Sequence, residues 1–573
     1  MSWALKKKYQ ALLAREEGYR KKVWGTELTV CLAYPNIYRA AMSNLGFQTV
    51  YALLNSHPEC LCERVFLPDP GDEPSFAPGS SSLFSLESGR ALNDFDLVAF
   101  SIPYENDYPS ILKMLDMARI PLEAHRRGDE HPLIMGGGIA VTLNPEPLST
   151  FFDLFLLGEG EALLPSFLRI LLTDRTIPRD RLLLRLQREA DGVYVPRYYQ
   201  VTYGPDARIE VFEPIDPALP RKIKKSWVRT IDGFVTDQVI ISPEAAFGDM
   251  FLTEVSRGCG RGCRFCAAGF ICRPPRFRDP ETLAPSFRRG IEKGKKIGLL
   301  GTAVSEHPQI ARLCRMILEQ GGRMAIGSLR ADRLDTELAA LIARGGVESV
   351  ALAPEAGTQR LRDVIRKGIT EEQILGAALQ LLEQDILNLR LYFMVGLPTE
   401  TEEDVEAVIA LAKKVKHHVA RSTTGRKKFR RITLSVNQFI PKAATPFQWH
   451  PLEEVNSVRK KLRRLTTALR EDPAFRVIHD MPKWNYIQAL LSLGDRRVGR
   501  ILLAVHERQG NWSQALKAVN INPDFYVYRP KEADEILPWD FIDHGTDKAF
   551  LRDEYERALA GASSEPARQP DRA

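Results

Sequence analysis

Nearly continuous apolar stretches alternate with amphipathic stretches over the first third of the chain. Strands that are apolar at almost every position are typical of a parallel sheet covered on both faces. We therefore predict a doubly wound domain over residues 1–175, in which ligands bind at the carboxyl ends of the strands. The predicted strands cover 27–35, 94–103, 131–138 and 151–161, and the helices between them include 40–57 and 107–120.

The ends of these predicted strands carry the candidate ligand contacts of the first domain. The third strand ends in three consecutive glycines, and the fourth runs into Gly-Glu-Gly-Glu. Glycine permits a close approach between the backbone and a ligand. The candidate contacts are Gly136, Gly137, Gly138 and Glu159.

Residues 176–250 break into short alternating segments with many prolines, such as GVYVPRYYQVTYG. This pattern predicts a β-rich linker without chemistry of its own.

The alternation of strand and helix patterns then resumes. Six successive strand–helix units predict a partial (βα)6 barrel over residues 251–441, whose chemistry gathers at the carboxyl ends of its strands. Thr399 and Glu402 predict the start of the helix that follows the fifth strand. The predicted strands cover 253–258, 295–301, 323–330, 347–357, 387–398 and 432–441.

The remaining chain is richer in helical and aromatic patterns. Residues 442–558 predict a helix-rich α+β region, and residues 559–573 are small, polar and proline-containing, which is typical of a disordered tail. The expected architecture is therefore α/β with a third, mostly helical part.

Composition narrows the class of protein. The chain has 573 residues, of which 44% are hydrophobic and 27% charged, as in soluble globular proteins. No apolar run is long enough to span a membrane, and the N-terminus lacks the apolar stretch of a signal peptide. We expect a cytoplasmic protein, in which clustered cysteines indicate a metal or catalysis rather than disulfides.

The net charge of +6 is unevenly distributed. Residues 413–431 contain nine Lys or Arg and no acid, and RKKLRR spans 459–464. These stretches fit either solvated surfaces or a polyanion-binding surface, for example for RNA.

Three of the eight cysteines lie within eight residues, in RGCGRGCRFC. A structural zinc site needs four ligands, usually as two close pairs, and Cys272 is poorly spaced to be the fourth. An iron–sulfur cluster normally takes four thiolates, so three leave one iron with an open position for a substrate. The candidate metal ligands are Cys259, Cys263 and Cys266.

This CxxxCxxC motif after the first strand of a βα barrel resembles the signature of the radical S-adenosylmethionine (radical SAM) enzymes. The resemblance implies that the three cysteines hold a [4Fe–4S] cluster whose open iron binds SAM. It also implies reductive cleavage of SAM to methionine and a 5′-deoxyadenosyl radical, with a small reductant protein such as flavodoxin or ferredoxin as partner.

The resemblance implies further SAM contacts. Phe265 would pack near the adenine, and so would the turn at Gly396 and Pro398. The alternative is that this turn only connects a strand to a helix. Gly301-Thr302 stands where the family often has a turn containing an acid. The remaining implied contacts are Ser328 and Arg330, for the SAM carboxylate, and Glu355, for the ribose. Alternative roles are a surface salt bridge for Arg330 and a helix-start carboxylate for Glu355.

A Rossmann-like domain ahead of this barrel resembles the cobalamin-binding subclass of the family. The loop after the first strand, Pro35 to Tyr38, lacks the DxHxxG motif that ligates cobalt through histidine. Two alternatives remain: cobalamin bound without a histidine ligand, or a domain that only docks on the barrel. Methylthiotransfer would need three N-terminal cysteines at strand ends; Cys31 lies inside a strand, and Cys60 and Cys62 are expected in a loop.

Three functions are consistent with these resemblances and with the basic stretches at 413–431 and 459–464. The first is a radical SAM enzyme, in its most concrete form a cobalamin-dependent methyltransferase. The second is a radical enzyme that modifies RNA or the ribosome without cobalamin. The third is a non-catalytic iron–sulfur protein, which would gain nothing from an open iron.

Overall fold

Two parallel sheets organise the chain, and a mostly helical C-terminal region packs against both. The computed structural model describes residues 3–25, 28–174, 177–234, 237–422 and 427–561. Helices near residues 487–505 share a hydrophobic core with the first sheet, whereas residues 458–475 join the core of the second. The architecture is thus mixed α/β, as expected.

The first sheet has the strand order β2-β1-β3-β4-β5-β6, and all its neighbours are parallel except β6. The order 2-1-3-4-5 is that of a doubly wound domain, with its topological switch between β1 and β3. Its elements are α1 (Trp3–Leu13), β1 (Leu28–Tyr34), α2 (Tyr38–Ala41), α3 (Leu45–Ser56), β2 (Cys60–Phe66), β3 (Leu97–Ser101), α4 (Tyr108–Met117), β4 (Leu133–Gly137), α5 (Ile139–Leu143), β5 (Leu154–Leu156), α6 (Gly160–Thr173), α7 (Arg179–Glu189) and β6 (Val193–Tyr194).

This sheet differs from the sequence-based expectation in two places. It continues past residue 175, because β6 pairs with β5. Cys60 and Cys62 lie on the buried strand β2, not in a loop. The charged pair Glu63-Arg64 interrupts the apolar pattern from which the other strands were predicted. In the structure the Arg64 guanidinium is itself buried and bonds the carboxylates of Glu16 and Glu87.

The linker pairs with residues near both ends of the described chain, at the N-terminal end through the backbone pairing of Ile241 with Glu17. It forms a hairpin of β7 (Tyr199–Tyr203) and β8 (Ile209–Pro214), as its alternating pattern predicts. It then continues into β9 (Ile223–Lys224), which pairs with a strand near the C-terminal end of the described chain.

The second sheet is a partial barrel in two segments. Three strands pair in the order β10-β13-β14 and five in the order β15-β16-β17-β18-β19, all parallel, where β19 is Phe475–His479. Its elements are β10 (Met250–Glu254), β11 (Ser256–Arg257), α8 (Ala268–Ile271), β12 (Arg276–Phe277), α9 (Pro280–Glu292), β13 (Lys296–Leu300), α10 (Ile310–Glu319), β14 (Met324–Ile326), β15 (Ser328–Leu329), α11 (Thr336–Arg344), β16 (Ser349–Glu355), α12 (Gln359–Val364), α13 (Glu371–Glu383), β17 (Asn388–Val395), α14 (Glu402–Ser422) and β18 (Arg431–Gln438).

Two details of the barrel correct the sequence-based expectation. The third predicted strand is divided at Gly327 into β14 and β15. The helix after Pro398 begins at Glu402, where Thr401 and Asp404 bond one another, whereas Thr399 has a left-handed φ of 63°. The capping pair therefore lies two residues later than predicted.

The C-terminal region adds a further strand to the barrel sheet. β19 pairs in parallel with β18, so the sheet extends beyond residue 441. No described helix is long and apolar enough to cross a membrane. The predicted tail lies outside the described residues from 562 onward. The elements are α15 (Val455–Leu469), β19 (Phe475–His479), α16 (Pro482–Leu493), α17 (Val498–Glu507), α18 (Trp512–Ala518), α19 (Asp524–Val527), β20 (Ile542–Asp543) and α20 (Lys548–Leu559).

Candidate functional site

The cysteine-rich loop lies at the mouth of the barrel, enclosed by the short antiparallel pair β11 and β12. Cys263 is buried, and Cys259 and Cys266 are half-buried. Gly258 has a φ of 84°, and a Cβ there would lie 1.9 Å from the carbonyl oxygen of Cys272. The loop therefore closes tightly on itself, which only glycine permits at this position.

Thiolates are the natural ligands of iron–sulfur clusters. In the part of the chain that the structure describes, no three Cys, His, Asp or Glu side chains converge as ligands of a single metal ion. A cubane cluster does not require such convergence, because each cysteine binds a different iron atom. The three cysteines on one loop thus fit a [4Fe–4S] cluster in the chemistry of their donor atoms.

A buried arginine fixes the middle of this loop. The Arg264 amide donates to the Ile365 carbonyl at 3.0 Å, and its guanidinium donates to the Val364 carbonyl at 2.8 Å. The same guanidinium lies 3.1 Å from the Glu554 carboxylate of α20, which also accepts from Arg366. The C-terminal helix therefore holds the cysteine loop in place.

Cationic groups surround the buried cysteine. Burial raises the pKa of the Cys263 thiol, and the nearby charges of Lys367 and Arg330 oppose this rise. Lys367 is itself buried and donates to the Glu355 carboxylate at 2.9 Å. Such cations favour thiolates and compensate the negative charge that thiolates bring to a cluster.

The predicted contacts for the SAM carboxylate and ribose have protein partners. Arg330 donates to Asp332 at 2.9 Å and lies 3.2 Å from Glu306, so the salt-bridge alternative describes its present contacts. Ser328, two residues earlier, is exposed at the barrel mouth. Glu355 adopts a φ of 68° and faces Lys367 rather than capping a helix. Lys367 bonds one oxygen of this carboxylate, Oε1, and the ribose contact stays a prediction.

The two segments predicted to contact adenine meet at one small apolar cluster. Phe265, which precedes the third cysteine, packs with the cluster that contains Leu397 and Phe439. The Gly396 amide, just before Leu397, donates to the Glu400 carboxylate at 3.0 Å, which fixes the turn that Pro398 completes. The fold thus brings these sequence-distant residues together.

A cavity of about 520 Å³ lies between the two domains. Its first wall is the switch-point edge of the first sheet, with Gly137, Gly138 and the Gly158–Glu161 turn. Its second wall is the barrel mouth, with Gly301, Thr302 and Cys272. Gly136 instead packs on Phe155 and does not line the cavity. Most of the remaining lining is apolar, including Leu32, Leu45, Val50, Ala99, Met135, Leu156, Leu163, Leu164 and Leu300. Its other polar residues are Asn44, Thr49, Ser101, Glu254, Ser256 and Arg257.

An ionic network joins the two walls. Arg257, two residues before the first cysteine, donates to Glu161 at 2.8 Å and to Glu159 at 3.0 Å. Arg276 makes a bidentate pair with Glu159 at 2.7 and 2.9 Å. Glu159, predicted as a cofactor contact, therefore ties the first domain to the cysteine loop.

Acidic side chains pair with several residues of the two basic stretches. Residues 423–426 lie outside the described residues. Among the others, the ion pairs are Lys414–Glu371, Lys416–Asp472, Lys427–Asp385, Lys461–Glu400 and Arg464–Glu406.

Sequence reasoning missed several residues of the site. Lys367 and Glu554 carry no local signal, because their roles depend on partners distant in the chain. Arg257 could have been found, since it stands in the motif itself. Lys225, on the linker predicted to be without chemistry, is buried and donates to the Ile271 carbonyl beside Cys272.

Two family profiles match the chain. Residues 46–196 match "Radical SAM proteins, N-terminal", and residues 253–412 match "Radical SAM superfamily". An uncharacterised protein of Methanocaldococcus jannaschii is 30% identical over 478 residues, which cover 82% of this chain and 90% of that protein.

Shorter matches include the anaerobic magnesium-protoporphyrin IX monomethyl ester cyclase of Rubrivivax gelatinosus. It is 30% identical over 170 residues, or 28% of this chain and 30% of the cyclase. The match thus spans less than a third of either protein.

Solved structures of similar shape include two enzymes. TsrM of Kitasatospora setae, a radical SAM methyltransferase, is 14% identical with a TM-score of 0.45, covering 71% of this chain and 72% of TsrM. OxsB, a cobalamin-dependent radical SAM enzyme, is 16% identical with a TM-score of 0.48, covering 83% of this chain and 66% of OxsB.

Three observations point to one family. They are the cysteine loop at the barrel mouth, the two profile matches, and the relative that matches over most of the chain. The family's cofactors are a [4Fe–4S] cluster and SAM, and the thiols described above fit the first of them. The chain belongs to the radical SAM superfamily.

Proposed function

We propose that the protein is a cobalamin-dependent radical SAM enzyme that transfers a methyl group to its substrate. The observation that carries this proposal is the cavity between the switch-point edge of the first sheet and the barrel mouth. Ligands of doubly wound domains bind at this edge, and barrel chemistry gathers at the opposite wall. A ligand in this cavity would contact both the switch-point edge of the first sheet and the barrel mouth.

The lining of the cavity fits a flat ligand with apolar faces and polar side chains, such as a corrin. Leu45, Val50 and Leu163 supply apolar surface, and the glycine turns bring backbone amides and carbonyls close. No described lining residue is a histidine, so this cavity would bind the corrin without a histidine ligand to cobalt. Its volume is within the usual range of ligand pockets.

When bound, the cluster would supply the electron that cleaves SAM, and cobalamin would carry the methyl group. The residues of this chain would bind these cofactors and orient them. Cys259, Cys263 and Cys266 would bind three irons, while Lys367 and Arg330 offset the added negative charge. The apolar walls exclude water, which would otherwise quench reactive species.

Anaerobic reconstitution tests the proposal. The protein, loaded with iron and sulfide, should release 5′-deoxyadenosine from SAM after reduction with dithionite. It should also retain hydroxocobalamin during gel filtration, with the absorption spectrum of a bound corrin. If the cluster forms but no corrin is retained, the methyl-transfer proposal fails, although family membership stands.

Two glycine variants locate the corrin site. Gly137→Leu should abolish retention, because its backbone tolerates a side chain that would enter the cavity. Gly376→Leu is the matched control, since a Cβ there meets nothing within 4 Å and it lies in α13, away from the cavity lining. Equal retention by both variants would contradict binding in this cavity.

A further inference from the structure

Ser256 brings a buried hydroxyl to the cavity between the domains. The residue lines this cavity and is 2% exposed. Among the described residues, its Oγ has no hydrogen-bond partner. A Cβ placed on Gly301 would lie 2.3 Å from this Oγ, so the hydroxyl sits against the turn that follows β13.

A buried hydroxyl without a partner destabilises a fold, because it loses its bonds to water and gains none. Buried polar groups in native proteins are almost always bonded, and each exception calls for an explanation. We propose that the Ser256 hydroxyl hydrogen-bonds to the ligand of this cavity and contributes directly to its affinity. This inference rests on the proposed function, which makes the cavity a cofactor site.

The chemistry of the partner follows from the position of the hydroxyl. A serine hydroxyl both donates and accepts, so it pairs with an amide, an amine or a carboxylate. Most of the cavity lining is apolar, and the charged Glu254 and Arg257 next to Ser256 pair with each other, so the partner is a polar group at the edge of a mostly apolar ligand. The amide side chains of a corrin and the methionine part of SAM both supply such a group, and the experiment separates them.

Thr253 offers a matched control on the same segment. Its Oγ1 is also buried and without a hydrogen-bond partner in the described chain, and the residue is 1% exposed. Side chains alternate along a strand, so Thr253 belongs to the face of Phe251 and Val255, which pack in the barrel core. It does not line the cavity.

The test compares Ser256→Ala with Thr253→Val in two measurements. In the cofactor-free protein, each variant should keep or raise the midpoint of thermal unfolding, because each removes an unsatisfied hydroxyl. In the reconstituted protein, only Ser256→Ala should weaken binding, by about 3- to 30-fold. Equilibrium dialysis with hydroxocobalamin and calorimetry with SAM identify which ligand loses the contact.

The outcomes separate this inference from the proposed function. Wild-type affinity of Ser256→Ala for both probes overturns the inference and leaves the proposed function standing. A lowered unfolding midpoint together with unchanged affinities would assign the hydroxyl a structural role. If the wild-type protein binds neither probe, the proposed function and the inference fail together.

Discussion

The two parallel sheets of this protein bury their strands in different ways. All seven residues of β1 and all seven of β2 are buried, because helices cover both faces. In β16 and β18, buried positions alternate with half-buried or exposed ones. The barrel sheet therefore has one covered face and one open, concave face.

The difference teaches where each sheet can do chemistry. A sheet covered on both faces offers a ligand only its edge, where the glycine turns after β4 and β5 line the cavity. The barrel offers its concave face as well as its edge, and the cysteine loop stands at that edge. Side chains such as Tyr392 and Met394 remain half-buried along that face.

A cysteine of the loop at the barrel mouth and a cysteine inside the first sheet should differ in their effect on the cluster. Cys259→Ala should abolish the iron–sulfur cluster and reduce SAM cleavage at least about 1,000-fold, since an iron loses its ligand. Cys31→Ala should keep the full iron content, because this thiol only packs inside β1. Iron and sulfide analysis, with chromatography of 5′-deoxyadenosine, measures both. Loss of iron in Cys31→Ala would break the comparison.

Two arginines on parallel strands provide the second test. Arg64→Met on β2 should lower the free energy of unfolding by about 3–5 kcal/mol, because Glu16 and Glu87 lose their buried partner. Arg390→Met on β17 replaces an exposed residue and should change it by less than about 0.5 kcal/mol. Urea unfolding of the cofactor-free variants gives both values. A similar decrease in the free energy of unfolding for both variants would show that Arg390 on the open face is not solvated as its exposure implies.

The carboxyl edge of the first sheet should show a smaller, pH-dependent effect. Burial raises the pKa of Asp107, just after β3, to about 6, although Asn36 donates to it at 2.9 Å. A raised carboxyl pKa favours folding at low pH, and this contribution is lost as the pH rises through 6.

Asp107→Asn should therefore stabilise the protein by about 1–3 kcal/mol at pH 7 and have little effect at pH 4. The exposed Asp534→Asn serves as the control, and urea unfolding at both pH values gives the comparison. An equal gain at the two pH values would contradict the assigned cause.

Much of the fold could be predicted because its strands follow simple apolar patterns. The runs around Val30, Val98 and Ile134 predict a covered parallel sheet, and the structure contains one. β2 was not predicted, because the charged pair Glu63-Arg64 is typical of an exposed segment rather than of a buried strand. No local pattern shows that the partners of Arg64 come from residues 16 and 87.

The cysteine motif could be recognised because its ligands are adjacent in the chain. Lys367 and Glu554 could not, since each acts across a long sequence separation. Glu159 was found for its place after β5, but its pairing with Arg257 and Arg276 depends on how the domains dock. The local sequence pattern thus predicts where a residue lies in the fold, whereas its ion-pair partners are known only once the whole chain has folded.

The hold of α20 on the cysteine loop has a consequence for biosynthesis. Arg264 and Glu554 are 290 residues apart, so the loop leaves the ribosome long before its anchor is made. Until that helix docks, the Arg264 guanidinium lacks its Glu554 partner, whereas the Arg264 bonds to the Val364 and Ile365 carbonyls do not depend on α20. We therefore expect a nascent chain that is halted before α20 to present its three cysteines in a loop that lacks this carboxylate anchor.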